Sequence, residues 1–269
     1  LAFQMNSLSS SIQELASLVD SYGGNQIQLD CSEMRVRGDQ RYKIGDYLGA
    51  QGEYRAALEK CPRDASAALF AGKSLWKLNQ INEAIEMVKH ATKADPKLVE
   101  GYLTLADFYS QRYDYVGAAT ALKNLQAVSS NSYEVYKGYA QIEMQRNSLR
   151  QAEQYAARAM KIYANDVDLI ILFAEIKFKS QQLGEALQYV SQAIEIDSTN
   201  VRALALKCQL VAAIKGFKNG RLCALDLQRA FPYVAEYYIA LGDISVTDQQ
   251  YQEAEEAYKK ALALDKNNK

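Results

Sequence analysis

The stretch NEAIEMVKHATKADP, from Asn82 to Pro96, sets the period of the whole sequence. Its final proline lies 34 residues after Pro62, and Pro232 lies four such intervals further on. All three prolines of the chain therefore occupy one phase of a 34-residue period. A fixed period of this length indicates an array of repeated structural units.

Four columns of small or apolar residues keep this register over seven copies. The column through Ala84 reads Ala50, Ala84, Ala118, Ala152, Ala186, Gly220 and Ala254. The column through Gly72 reads Gly38, Gly72, Ala106, Ala140, Ala174, Cys208 and Gly242. The column through Ile81 reads Tyr47, Ile81, Tyr115, Leu149, Leu183, Phe217 and Tyr251. The column through Ala91 reads Ala57, Ala91, Leu125, Ala159, Ala193, Leu227 and Ala261.

The apolar residues inside each copy have helical spacing, such as Tyr102, Leu105 and Tyr109 in the third copy. A short polar or glycine-containing turn divides each copy into two halves. One such hairpin cannot bury its apolar face alone, so the copies must stack on one another. The small columns through Gly72 and Ala84 predict where the two helices of a hairpin come closest.

The pattern resembles the tetratricopeptide repeat (TPR), whose landmarks are clearest in YYIALGD (Tyr237–Asp243) and YQEAEEAYKKALALD (Tyr251–Asp265). The resemblance implies an all-α fold, an α-solenoid of helix-turn-helix repeats with about seven TPR units in a right-handed superhelix. It also implies a concave groove lined by the first helices. The predicted repeats span residues 31–268 and begin near Cys31, Ala65, Val99, Tyr133, Val167, Val201 and Ala235.

The two ends of the chain depart from the repeat. Residues 7–22 have apolar residues at helical spacing, and we expect residues 1–30 to form an N-terminal helix. That helix either caps the first repeat or ends an upstream region, as a coiled coil or a dimer contact. The chain begins at Leu1 rather than Met, so we expect the gene to start upstream.

No polar capping helix follows the last repeat, although the resembling family usually has one. We therefore expect Tyr258, Ala261 and Leu262 to be partly exposed. Such an uncapped end favours either a truncated array or a homotypic contact between copies of the chain.

The composition disfavours several functions. The chain has 31 basic and 32 acidic residues and a net charge of −1, whereas nucleic-acid binders are normally basic. It has no apolar run of about 18 residues, so we expect no membrane insertion in this segment. We expect a soluble protein, in the cytoplasm or, if a leader precedes Leu1, in the periplasm.

Catalytic and metal chemistry have little support in the sequence. The one histidine, His90, is predicted on the outer side of a second helix, and the four cysteines lack metal-ligand spacing. We therefore predict no catalytic residue, no metal and no cofactor. The cysteines are interpreted as small hydrophobic residues, and Cys208 would pair with Cys223 only in an oxidising compartment.

The stretch KGFKNGRLCALDLQRAFP, residues 215–232, could be a glycine-rich loop that binds phosphate at a helix N-terminus. The register argues against this, because Gly220 falls in the alanine column inside a second helix. Cys208 replaces glycine or alanine on the facing helix of the same copy. We therefore predict that the Cys208 side chain packs over Gly220.

The groove is the remaining candidate site, since the resemblance implies that first-helix positions contact partners. We predict it to be basic near the first two repeats and acidic beyond. Such a groove would suit a peptide that is acidic at one end and basic at the other. The alternative is that these charges only solvate the surface. The predicted groove residues are Leu69, Lys73, Trp76, Lys77, Leu103, Asp107, Lys137, Gln141, Ile171, Glu175, Phe178, Gln209 and Asp243.

These observations predict a non-catalytic protein–protein interaction module or scaffold that binds a peptide or partner protein. The alternative is a regulatory or substrate-recruiting segment of a larger enzyme or assembly. A nucleic-acid-reading helical repeat is disfavoured, because the inner helices lack basic rows. The groove positions also carry no asparagine, so the carboxylate clamp of chaperone-binding TPR domains is not formed.

Overall fold

The computed structural model describes residues 30–130 and 132–264. These residues form seven helical hairpins and contain no strand, which confirms the predicted all-α helical-repeat solenoid. The helices are α1 (Cys31–Lys43), α2 (Tyr47–Lys60), α3 (Ala65–Lys77), α4 (Ile81–Ala94), α5 (Val99–Gln111), α6 (Tyr115–Val128), α7 (Tyr133–Gln145), α8 (Leu149–Ile162), α9 (Val167–Lys179), α10 (Leu183–Ile196), α11 (Val201–Lys215), α12 (Phe217–Ala230), α13 (Ala235–Thr247) and α14 (Tyr251–Leu264). The helix predicted at residues 7–22 lies outside the described residues, as do residues 265–268 of the predicted repeats.

The chain divides into two compact units at Ala94. The described part of the first unit holds α1–α4, and that of the second unit holds α5–α14. Within each unit the second helix of one hairpin packs on the first helix of the next. Consecutive first helices also contact one another, so the second unit has a continuous layer of α5, α7, α9, α11 and α13.

Polar residues start many of these helices. The Asp30 carboxylate accepts hydrogen bonds from the backbone N–H groups of Ser32 and Glu33, and the Glu33 side chain accepts one from the Asp30 N–H. This is a capping box, which satisfies N–H groups that lack partners in the first turn. Side chains accept from the first turn in the same way at Asp46, Asp64, Asp114, Asp166 and Asn200.

The two helices of a hairpin approach closely where the small columns meet. A Cβ atom on Gly72 would lie 2.5 Å from Val88 Cγ2 and 3.0 Å from the carbonyl oxygen of Ala84. Gly38 leaves the same kind of space for the ring of Tyr54, whose hydroxyl donates to Asp39 at 2.7 Å. Ala84 itself is fully buried. The predicted close approach is thus a contact between a helix backbone and a side chain or backbone of its partner.

The prediction that the cysteines act as small hydrophobic residues is wrong, because all four form disulfides, including the pair Cys208–Cys223 that was left open. Cys31 and Cys61 form a disulfide with a Cα–Cα distance of 6.0 Å, which joins the start of α1 to the residue after α2. Cys208 and Cys223 form a second disulfide, with a Cα–Cα distance of 5.4 Å, between α11 and α12. The first pair is not visible in the 34-residue columns, because Cys31 and Cys61 occupy different positions of the repeat.

The predicted packing of Cys208 over Gly220 is wrong. Helix α11 runs on to Lys215, and Gly216, at a φ of 92°, is the single residue between α11 and α12. This short link brings Ala212 onto Gly220, whose added Cβ would lie 2.7 Å from Ala212 Cα and 2.8 Å from its nitrogen. The Cys208 side chain turns to Cys223 instead.

The last hairpin differs in part from the expected exposed end. Leu262 is 48% exposed, whereas Ala261 is buried at 3%. Tyr258 is half-buried, since its ring lies against Gly242 and its hydroxyl donates to Asp243 at 2.7 Å. His90 is exposed on the second helix α4, as predicted.

Replacement of Gly220 by alanine tests the contact with Ala212. We expect Gly220→Ala to lower the free energy of unfolding by about 1–3 kcal/mol, because a methyl group would be forced into a filled space. Adding Ala212→Gly should restore part of the loss. Urea titration followed by circular dichroism measures both changes.

The matched control is Gly52→Ala in α2, where an added Cβ has nothing within 4 Å. Because alanine has the higher helix propensity, that change should raise the free energy of unfolding by about 0.5–1 kcal/mol. If Gly220→Ala stabilises the protein as much as Gly52→Ala does, the close contact does not exist.

Removal of the first disulfide should destabilise the first hairpin. The bridge closes a sequence separation of 30 residues, so we expect Cys31→Ser with Cys61→Ser to lower the free energy of unfolding by about 2–4 kcal/mol. Titration of thiols in denaturant provides the check on pairing, since the unreduced protein should show none. Four reactive thiols before reduction would contradict both bridges.

Candidate interaction surface

The layer of first helices in the second unit presents the residues that the sequence analysis singled out. We call the second, fifth and ninth residues of α5, α7, α9, α11 and α13 the first-helix surface. Its members are Glu100, Leu103, Asp107, Glu134, Lys137, Gln141, Asp168, Ile171, Glu175, Arg202, Ala205, Gln209, Glu236, Ile239 and Asp243. Consecutive first helices contact one another, so the three positions of each helix lie beside those of the next helix along the layer.

A chain of ion pairs joins α7, α9 and α11 across this surface. The Lys137 ammonium lies 3.0 Å from Asp166 and 3.9 Å from Asp168. The Arg202 guanidinium lies 3.7 Å from Asp168 and 2.8 Å from Glu175. Both cations of the first-helix surface are therefore neutralised by acids of a neighbouring repeat, and they stabilise the stacking of three repeats.

Asp166 is the most enclosed carboxylate of this chain of ion pairs, since its side chain is 13% exposed. Burial acts to raise the pKa of Asp166, but the Leu169 N–H and the Lys137 ammonium outweigh it and lower that pKa below its ordinary value. Asp166 thus stays ionised at neutral pH. It serves both as the cap of α9 and as the partner of α7.

A second polar link joins α11, α13 and α14. The Gln209 amide donates to Asp243 at 2.8 Å, between equivalent positions of adjacent repeats. The other Asp243 oxygen accepts from the Tyr258 hydroxyl at 2.7 Å. Burial and this bond raise the pKa of Tyr258 above its ordinary value, so it remains a donor at neutral pH.

The remaining predicted residues of the second unit differ in accessibility. Asp107 and Gln141 are exposed, and Asp107 accepts a hydrogen bond from Gln111 at 2.8 Å. Leu103 and Phe178 are half-buried, so they offer partial apolar contact beside the polar rows. These residues leave the surface open to solvent next to the ion pairs.

Two of the predicted groove residues are core residues. Leu69 is 1% exposed and Ile171 is 0% exposed. Both occupy the fifth position of a first helix, where Leu103 and Lys137 are half-buried in other repeats. Neighbouring helices bury the side chain at the fifth position to different extents in different repeats. The position of a residue within the repeat does not reveal this difference in burial. Ile171 is thus a buried member of the first-helix surface, and neither it nor Leu69 of the first unit is accessible to a partner.

The first unit has its own set of predicted residues on α3. The Lys73 ammonium lies 4.9 Å from the centroid of the Phe70 ring, which gives a cation–π contact. Trp76 is half-buried and Lys77 is exposed. This short basic and aromatic stretch is a separate patch within the first unit.

Sequence reasoning missed the buried cation Lys177. Its side chain is 7% exposed, and its ammonium lies 2.7 Å from Glu153 and 2.8 Å from Glu185. Burial acts to lower the pKa of Lys177, but the two carboxylates outweigh it and raise that pKa. Lys177 replaces an aromatic landmark of the repeat, and this substitution was the available signal of an ion pair between hairpins.

The described residues contain no group of three or more histidine, cysteine or acidic side chains that could hold a metal ion. Among the helices of residues 30–130 and 132–264, none is long and apolar enough to span a membrane.

The chain is similar to known proteins in both sequence and fold. Models of the tetratricopeptide repeat match residues 35–99 and residues 235–268. A tetratricopeptide repeat protein from Parabacteroides merdae is 15% identical, with a TM-score of 0.66, over 87% of this chain and 93% of that one.

Two further solved structures share the fold. Yeast Tom70 is 16% identical, with a TM-score of 0.67, over 95% of this chain and 55% of that one. PilW, a type IV pilus biogenesis factor, is 18% identical, with a TM-score of 0.63, over 81% of this chain and 99% of that one. The family models thus identify tetratricopeptide repeats at residues 35–99 and 235–268, and the solved structures show that the chain shares the helical-repeat fold of these proteins.

Proposed function

We propose that the first-helix surface of the second unit binds a partner protein through a segment with basic side chains. Tetratricopeptide repeats generally serve as protein–protein interaction or scaffold modules. The excess of acids on this surface favours a basic segment as its ligand. The acidic members are Glu100, Asp107, Glu134, Asp168, Glu175, Glu236 and Asp243, against Lys137 and Arg202.

The ion pairs strengthen this charge argument. Lys137 and Arg202 are both within ion-pair distance of acids of a neighbouring repeat. Both cations of the surface are therefore paired with acids of the protein itself, and the acids of the surface outnumber its cations by seven to two. Such an excess of acids attracts a basic segment and raises its rate of association.

The proposed role is non-catalytic. The exposed His90 lies on a second helix of the first unit and is not a member of the first-helix surface. Gln209 and Asp243 of that surface are engaged with each other in a helix-to-helix hydrogen bond. This arrangement supports a rigid binding platform.

The two disulfides support a location in an oxidising compartment. Disulfides persist in secreted and periplasmic proteins and are rare in the cytosol, where thiols are kept reduced. The pairs Cys31–Cys61 and Cys208–Cys223 use all four cysteines of the chain. We propose that the protein works in such a compartment, and the partner would be found there.

Photo-cross-linking tests the proposed surface directly. We expect a benzoylphenylalanine at Gln141, exposed on α7, to capture a partner from a lysate of the source cells. The matched control is the same group at Gln188, which is exposed on the second helix α10 of the same unit. Equal capture at the two positions, analysed by mass spectrometry, would place the interaction elsewhere.

A charge variant tests the electrostatic part of the proposal. Asp107→Asn should weaken binding of the captured partner by about 1.5- to 5-fold and reduce its dependence on salt, since exposed ion pairs contribute about 0.2–1 kcal/mol. Glu195→Gln, exposed on the second helix α10, is the control and should change neither. Surface plasmon resonance at low and high salt measures both, and equal effects of the two variants would contradict the proposal.

A further inference from the structure

The turn between α5 and α6 holds a tyrosine in an unfavourable backbone conformation. Tyr113 has a φ of 60°, in the left-handed region that favours glycine and asparagine. Its side chain does not offset this conformation by burial, since Tyr113 is 80% exposed. Smaller or amide residues hold the left-handed turn position elsewhere, namely Gly45, Asn79, Asn147, Gln181 and Gln249.

An outlier of this kind indicates a role for the side chain outside the fold itself. Tyr113 borders an open hollow of about 560 Å³ between α6 and the next hairpin. The lining comprises Tyr113, Asp114, Tyr115, Val116, Ala119, Thr120, Lys123, Tyr139 and Arg146. None of these residues belongs to the first-helix surface, so the hollow is a separate feature of the second unit.

The walls of the hollow are aromatic and apolar. The rings of Tyr113 and Tyr115 meet edge to face at 6.4 Å, and Tyr139 stacks on Tyr155 at 5.2 Å. Val116, beside them, is 79% exposed. Exposed aromatic and branched side chains around one depression are typical of a protein interaction site.

The charged residues that line the hollow are two cations and one carboxylate. Lys123 is exposed, and Arg146 is half-exposed while it donates to Glu143 at 3.0 Å. The lining carboxylate, Asp114, already accepts from the Gly117 N–H at 2.9 Å as the cap of α6. Lys123 and the guanidinium N–H groups of Arg146 that Glu143 does not use are therefore available as donors, while the lining carboxylate is committed as a cap, which favours a ligand that carries carboxylates.

We propose that this hollow is a second docking site, which takes an aromatic side chain flanked by acidic residues on a partner protein. The tyrosine rings would contact the aromatic anchor, and Lys123 and Arg146 would bind the flanking carboxylates. This site goes beyond the first-helix surface, since its residues differ and its preferred ligand has the opposite charge. A scaffold with both sites would hold an acidic and a basic segment at once.

The backbone conformation of Tyr113 yields a variant that separates binding from folding. Tyr113→Gly removes the ring and at the same time relieves the left-handed conformation. We expect its thermal unfolding midpoint to be equal to or above that of the unaltered chain. Gln181→Gly, at the same turn position with a φ of 61°, is the matched control that relieves strain outside the hollow.

Binding is measured by NMR on the full chain with the peptide Glu-Glu-Phe-Glu-Glu as the probe. We expect amide shifts at Ala119, Thr120 and Lys123, with affinity about tenfold weaker in Tyr113→Gly and unchanged in Gln181→Gly. The peptides Glu-Glu-Ser-Glu-Glu and Lys-Lys-Phe-Lys-Lys should bind more weakly than the probe.

Several results would overturn the proposal. Shifts confined to the first-helix surface, or no shifts, would remove the hollow as a site. Equal binding of the lysine peptide would exclude the carboxylate preference, and unchanged affinity in Tyr113→Gly would exclude the role of the ring. Tighter binding of an oligouridine than of the peptide would assign the hollow to nucleic acid instead.

Discussion

The close approach of the two helices within each hairpin is the constraint on which the rest of the structure depends. At Gly72 a single added carbon would collide with Val88 and the backbone of α4. The small residue lets the second helix lie against the backbone of the first, and the hairpin then presents one continuous apolar face. That face is buried only when the next hairpin stacks on it. The stacking of repeats therefore depends on the close contact within each hairpin.

Polar contacts refine this stacking and also create the surface. Lys137 with Asp166, and Gln209 with Asp243, both join adjacent repeats. The ion pairs engage both cations of the first-helix surface, on which acids outnumber cations by seven to two. The same residues therefore join adjacent repeats and contribute to the charge of this surface. The proposed docking site at Tyr113 would take a ligand of the opposite charge.

The repeat pattern predicted the helices and the close contacts well, because the close approach of two helices is one of the few physical causes of a column of small residues. It failed where a residue's environment depends on a neighbouring element. Ile171 shares its repeat position with Lys137, yet one is fully buried and the other is in an ion pair at the surface. The polar residues of the candidate surface were foreseeable by position, whereas their partners were not.

The sequence by itself determined the helical hairpin, its 34-residue spacing and the places where helices touch, because these follow from periodicity and side-chain size. Only the tertiary structure decided that Cys31 pairs with Cys61, since these two residues meet through the geometry of a hairpin and not through the repeat. It also decided what covers Gly220, because the extension of α11 to Lys215 leaves a one-residue link and moves Ala212 into contact. The local sequence pattern determines the helical hairpin. The path of the chain between two helices determines which side chains contact each other.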